Sequence, residues 1–99
     1  MTTQKNAAVG DRPTNEELVQ RLQEGDTSAA EELLRQNSGY LTVLAKQYDR
    51  TVRGPSLEED LKQEGAMAVL KVAEQFDPTL GNHFLTYATP VIQAAMRDC

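Results

Sequence analysis

Several kinds of residue are scarce in this chain of 99 residues, and each scarcity removes a class of function. There is no Trp, and Cys99 is the single cysteine, placed at the last position, where it reads as an ordinary residue of the last helix. One thiol can form neither an internal disulfide nor a cysteine-rich metal site. His83 is the only histidine, which argues against a His-based metal or acid–base centre. No apolar run approaches the ~20 residues that cross a bilayer, and the polar start, Met1 to Arg12, has no apolar core of a signal peptide. The reading is a cytoplasmic protein that does not enter a membrane. No Gly-rich phosphate loop, HExxH pair or Ser/His/Asp set is present. Catalysis, cofactor binding and a small-molecule substrate are therefore not expected. Basic residues are outnumbered, with 10 Lys and Arg against 15 Asp and Glu, for a net charge of −5. Tight autonomous binding to duplex nucleic acid is disfavoured, because such affinity comes largely from cations meeting phosphates.

What the chain does have is helical periodicity. Residues 1–12 show none and read as a flexible arm. The rest, 13–99, reads as one helical domain. Thr14 and Glu17 form an S/T-x-x-E capping box at the start of a first helix, Leu18, Val19 and Leu22 give its inward side, and Gly25 stops it. A second helix opens at Asp26 or at Ser28, the latter with Glu31 as a second capping box. It keeps Ala30, Leu33, Leu34, Asn37, Leu41, Leu44, Ala45 and Tyr48 on one stripe, with Gly39 inside it as either a bend or an ordinary helical glycine. Arg53-Gly54-Pro55 makes a loop. Ser56 with Glu59 is a third capping box, opening a helix to Phe76 that is roughly 30 Å long. Pro78 cannot continue it. A last helix carries Phe84, Tyr87, Ala88, Val91, Ile92, Ala95 and Met96, with Pro90 inside. Either the helix kinks there, the reading favoured here, or Thr89 caps a new segment. With no strand pattern and short loops, the fold class is all-α, a compact four-helix bundle. The stripe still runs at Cys99, the pattern of a fragment of a longer protein.

Leu57 to Arg97 organises the chain. Its first helix divides cleanly into an inward stripe (Leu57, Leu61, Gly65, Ala68, Val69, Val72, Ala73, Phe76) and a second side with Asp60, Gln63, Glu64, Met67 and Lys71. The carboxylate runs Glu31-Glu32 and Glu58-Glu59-Asp60 sit at helix starts, where negative charge complements the dipole. They lack the further ligands that a metal needs. On pattern alone, Asp60, Gln63, Glu64 and Met67 are either a solvated face or a protein-docking face. Phe84 and Tyr87 are, by periodicity, core.

The ordered set Asp60-Leu61-Lys62-Gln63-Glu64-Gly65, Gln75-Phe76-Asp77-Pro78, Gly81 and Phe84-Leu85-Thr86-Tyr87-Ala88 resembles region two of bacterial sigma factors of the sigma-70 family. The resemblance is strong from Ser56 to Arg97, compatible from Thr14 to Arg53, and absent from the first dozen residues. It implies a region-two helical domain that docks on RNA polymerase core and recognises and melts the promoter −10 element. By this resemblance Asp60, Gln63 and Glu64, with Met67 beside them, meet a coiled coil on the β′ subunit. Phe84, Thr86 and Tyr87 engage the non-template strand, where a flipped adenine stacks on an aromatic ring. An anti-sigma factor is a further partner the family implies.

Two departures stand out. Where many sigma factors carry a pair of Trp just after the Tyr-Ala motif, this chain has Pro90 and Val91, closer to alternative factors of the sporulation and stress types. At two positions used to read the upstream edge of the −10 element it has Ala94, which offers a methyl group, and Arg97, which can meet a base or a phosphate. The lost Trp pair, and a −35-reading domain not found in these 99 residues, leave a second reading open: a sigma-like regulatory or interaction module that keeps the docking face but does not melt promoters. Tyr87 is expected to be partly exposed and Ile92 buried, since a tyrosine hydroxyl prefers water or a polar partner.

Overall fold

The computed structural model describes residues 12–50 and 54–98. The expected arm, residues 1–12, lies outside them except for Arg12, as do Arg53 and Cys99. Among the described residues five α-helices follow one another: α1 (Asn15–Gln23), α2 (Ser28–Gln36), α3 (Ser38–Tyr48), α4 (Glu58–Gln75) and α5 (Phe84–Arg97), with a 3-10 turn at Pro78–Leu80 between the last two. The expected all-α fold is what the structure shows, and no strand occurs among the described residues. None of the helices described is long and apolar enough to cross a membrane.

The predicted second helix is in two pieces. Its stripe is continuous, but the helix breaks at Asn37, with φ −106° and ψ 11°. The buried Asn37 amide donates to the Leu33 carbonyl and to Asn15 Oδ1 of α1, each at 2.8 Å. A short amide side chain competing for backbone partners interrupts a helix in this way. Gly39 is not the cause: it lies inside α3 with open space around it.

Helix starts follow local chemistry, with corrections. Thr14 and Glu17 form the expected capping box. Ser28 and Glu31 do not. Asp26 instead accepts from the Ser28 N–H and hydroxyl, and Ser28 is the first helical residue. The Ser28 hydroxyl also draws the Asp26 carboxyl below its ordinary value. Ser56 accepts from the Glu58 N–H rather than pairing with Glu59. Leu57 is the cap residue of α4 and is exposed, not part of the inward stripe.

α4 is the centre of the molecule. It packs most extensively on α5 and also touches α1, α2 and α3. Its buried Leu61, Ala68, Val69 and Ala73 meet Leu18, Val19, Leu33, Leu41, Ile92 and Met96 in one core. Each large aliphatic residue so buried contributes ~1.5–3 kcal/mol. α5 runs as one helix through Pro90, so Thr89 does not start a new segment. Its hydroxyl instead lies 2.8 Å from the Tyr40 hydroxyl of α3. Pro90 has no N–H for the Thr86 carbonyl, and Thr86 is on the exposed side, where water can serve it.

Candidate functional site

Two surfaces carry the residues singled out in the sequence, and α4 contributes to both. On its outward side Asp60, Gln63 and Met67 are exposed and Glu64 is half-buried. Steps of three and four residues bring these four to one face. Met67 is 63% exposed, a large apolar side chain among polar ones. None of the three polar residues has an internal hydrogen bond or ion pair among the described residues, so their donors and acceptors face outward. The opposite side of the helix is held closely. A Cβ on Gly65 would come within 2.7 Å of Met96 Cε, 3.0 Å of Leu41 Cδ2 and 3.3 Å of Ile92 Cγ2. Lys46 of α3 reaches Glu58 in the first turn of α4 at 3.4 Å. The face is therefore presented by a helix pinned from behind and at its start.

The second surface is a pocket of about 400 Å³ where α4 ends and α5 begins. Val72, Gln75 and Phe76 form one wall, Asp77, Leu80 and Asn82 the rim, and Tyr87 and Val91 the other wall. Local sequence explains its shape. Helix α4 stops ahead of Pro78. The Asp77 carboxylate accepts from the Thr79 hydroxyl (2.6 Å) and N–H (2.9 Å), which winds the 3-10 turn. These bonds, the hydroxyl's first, hold the Asp77 carboxyl below its usual value of 3.8. Gly81, at φ 77°, takes the left-handed conformation that lets the chain turn back. Phe76 then meets Phe84 edge-to-face at 5.4 Å and Tyr87 at a tilt of 56° and 5.6 Å.

Tyr87 is 50% exposed and Ile92 wholly buried, as expected. Phe84 is a correction. Its ring has no exposed surface, lines no part of the pocket, and is sealed under Phe76. It has no free face to offer a ligand, and it supports the Phe76 wall from behind. Thr86 is exposed beside the pocket without lining it. Ala94, half-buried, and Arg97, exposed, lie two to three turns further along α5. Tyr87 and Ala94 are seven residues apart and Thr86 and Arg97 eleven, so the four occupy two adjacent strips of one helix.

The structure adds Gln75, Asp77, Leu80 and Asn82 to the pocket and moves Val91 from core to wall, 38% exposed. Leu80 carried a legible signal: an apolar residue in a polar turn, 66% exposed, has a reason to be there other than the core. Gln75 and Asp77 stood in the resembling motif without a role assigned to them, and Asn82 carried no signal. Among the described residues no group of three or more His, Cys, Asp or Glu is placed to hold a metal ion.

Comparison with known proteins agrees with this arrangement. The family model for sigma-70 region 2 matches residues 33–98, two thirds of the chain. RNA polymerase sigma factor SigA of Clostridium acetobutylicum is 39% identical over 80 residues, covering 81% of this chain and 20% of that protein. The RNA polymerase sigma-C factor of Myxococcus xanthus is 30% identical over 89 residues, 89% of this chain and 29% of its own length. The RNA polymerase sigma-B factor of Bacillus subtilis is 36% identical over 67 residues, 68% of this chain and 24% of its own. The chain thus spans less than a third of each of these curated relatives. No solved structure matches it. Helices α3, α4 and α5, the polar face of α4 and the turn between α4 and α5 all fall within the residues the family model matches, and the chain belongs to the sigma-70 family, of which it carries region 2.

Proposed function

We propose that this chain docks on RNA polymerase core through Asp60, Gln63, Glu64 and Met67 and captures a flipped base of the −10 element through Tyr87. The polymerase partner is the β′ coiled coil, whose cations would meet the carboxylates of α4 while Met67 supplies adaptable apolar contact. The DNA partner is the non-template strand, with Thr86, Ala94 and Arg97 following it along α5. Phe84 leaves the set of DNA-contacting residues for the reason given above. The protein acts as a binding module without catalysis of its own, in the cytoplasm with the polymerase. Its −5 charge fits a factor that relies on polymerase for the positive channel.

The observation that carries the reading is Tyr87: a half-exposed ring beside an apolar pocket, backed by Phe76. Stacking on such a ring is worth ~1–3 kcal/mol per base and offsets part of the cost of unstacking. The test is open-complex formation with core polymerase, on a duplex promoter and on one with a pre-melted −10 bubble. Tyr87→Ala should slow opening of the duplex by the equivalent of ~1–3 kcal/mol and leave core binding nearly intact. Tyr87→Phe should keep most activity. Loss of core binding together with a large fall in melting temperature would make Tyr87 a core residue and defeat the assignment.

One observation favours a second reading. Pro90 and Val91 stand where many sigma factors have Trp, which suits an alternative factor or a module that docks without melting DNA. Transcription in vitro from a duplex promoter separates the two: a module that only docks binds core and yields no transcript.

A further inference from the structure

Helix α1 reaches both ends of the base pocket from behind. Glu16 and Gln23 are seven residues apart, two turns on one side of α1, and leave it about 10 Å apart. Glu16 Oε2 accepts from the N–H of Phe84, the first residue of α5, at 2.5 Å. Gln23 Nε2 donates to the carbonyls of Ala73 at 2.8 Å and Phe76 at 2.6 Å, at the end of α4. Both attachments match the polarity of the helix ends they close. A carboxylate sits at the N-terminus of α5, which has no side-chain cap of its own, and an amide donor sits at the C-terminus of α4.

The positions of these bonds matter more than their number. Gln23 holds the backbone of Phe76, one wall of the pocket. Glu16 holds the residue one turn before Tyr87, the other wall. Between them runs the rim, whose 3-10 turn also packs on α1. The same two helix ends are also joined by a short exposed connection, by the packing of α4 on α5 and by the contacts of Phe76 with the rings of Phe84 and Tyr87, and the bonds from α1 add fixed points at the backbone. α1 precedes residue 33, so it lies outside the part matched by the family model.

We infer that Glu16 and Gln23 are positioning residues for base capture: α1 fixes how Phe76 sits against Tyr87, and so the angle at which the Tyr87 ring faces the pocket. This rests on the reading of Tyr87 above. A binding constellation needs its groups held to about 0.5 Å by supporting hydrogen bonds, and these are the bonds from α1 that reach the pocket's frame.

The test has a structural arm and a functional arm, both on the full chain. For the first, the protein is labelled with 3-fluorotyrosine, and the Tyr87 fluorine resonance is identified with Tyr87→Phe. Glu16→Ala and Gln23→Ala should each move or broaden the Tyr87 signal and leave that of Tyr48 in place. Glu16→Gln, whose amide oxygen still accepts, should restore it. If Glu16→Ala does not fold, Gln23→Glu, which sets a carboxylate against two carbonyls, should move the signal instead. For the second arm, binding of a single-stranded −10 oligonucleotide is measured with core polymerase. Glu16→Ala should weaken binding roughly three- to tenfold, the size of one lost hydrogen bond, and Gln23→Ala, which removes two, by at least as much. The loss should disappear in a Tyr87→Ala background, because residues acting through one group are not additive. An unmoved Tyr87 signal, or losses that persist in full on top of Tyr87→Ala, overturns the inference. A moved signal with no effect of Tyr87→Ala on strand binding has a different meaning: α1 shapes the pocket, and the assignment of base stacking to Tyr87 is what fails.

Discussion

Gly65 shows how closely α4 approaches its neighbours. A methyl group there would press on Met96, Leu41 and Ile92 together. The Met96 tail is flexible, but it is buried with nowhere obvious to go, and Ile92 is stiff because it is β-branched. Overpacking a core costs ~1–3 kcal/mol, while Gly→Ala returns ~1 kcal/mol of helix propensity. Gly65→Ala should therefore lose about 1 kcal/mol net, a fall in melting temperature of roughly 4–8 °C for a domain of this size, read by circular dichroism. A rise in melting temperature would mean that the tight contact relaxes freely. In the sequence Gly65 was legible as part of a resemblance and a stripe. Its reason, the approach of three side chains from two other helices, was not.

At the scale of elements, joints matter more than helices. Asn37 divides what periodicity reads as one helix, and its amide serves both Leu33 and Asn15. Asn37→Ala removes both bonds at a buried site. It should destabilise by ~1–3 kcal/mol in urea titration without lowering helix content, because alanine lets α2 continue into α3. A loss of helix content would show that Asn37 maintains the helices rather than the break. The α4–α5 connection has its own joint in Asp77. Its folded carboxyl value lies below 3.8, so the unfolded chain binds the proton more readily. Its contribution is thus present in full above 3.8 and is lost as pH falls through the folded value. The stability gap between wild type and Asp77→Asn should be constant near neutrality and narrow in acid below 3.8. A gap that widens in acid would contradict this.

For the whole molecule the point is the separation of two surfaces on one frame. The face proposed for docking looks outward from the N-terminal half of α4, and the pocket lies at the other end of that helix. Because Gly65, Leu61 and Val69 lock α4 in place, a change on the outward face should not propagate into the fold. Gln63→Ala and Glu64→Ala should weaken binding to core polymerase, by ~2–5 kcal/mol where a charged partner is lost at a desolvated contact. Their circular dichroism should be unchanged. Full core binding by both variants would remove this face from the docking surface.

The sequence alone determined what depends on near neighbours. The Thr14–Glu17 capping box, the stop at Pro78, the Asp77-to-Gly81 turn and the buried stripe from Leu18 to Ile92 rest on contacts within a turn or on a repeat of 3.6 residues. Those are present in any short window of the chain. The tertiary structure decided what depends on a distant partner. Phe84 and Tyr87 share a stripe and an aromatic ring, yet one is sealed and the other half-exposed, because Phe76 covers the first and only leans on the second. Val91 repeats with the core and still faces the pocket. Glu16 and Gln23 look like surface residues of a short helix, and they close α5 and α4 across 68 and 50 or more residues of chain. Periodicity says which side of a helix is inward. How deeply each residue on that side is covered, and which polar group meets which helix end, follows from where the other helices come to rest.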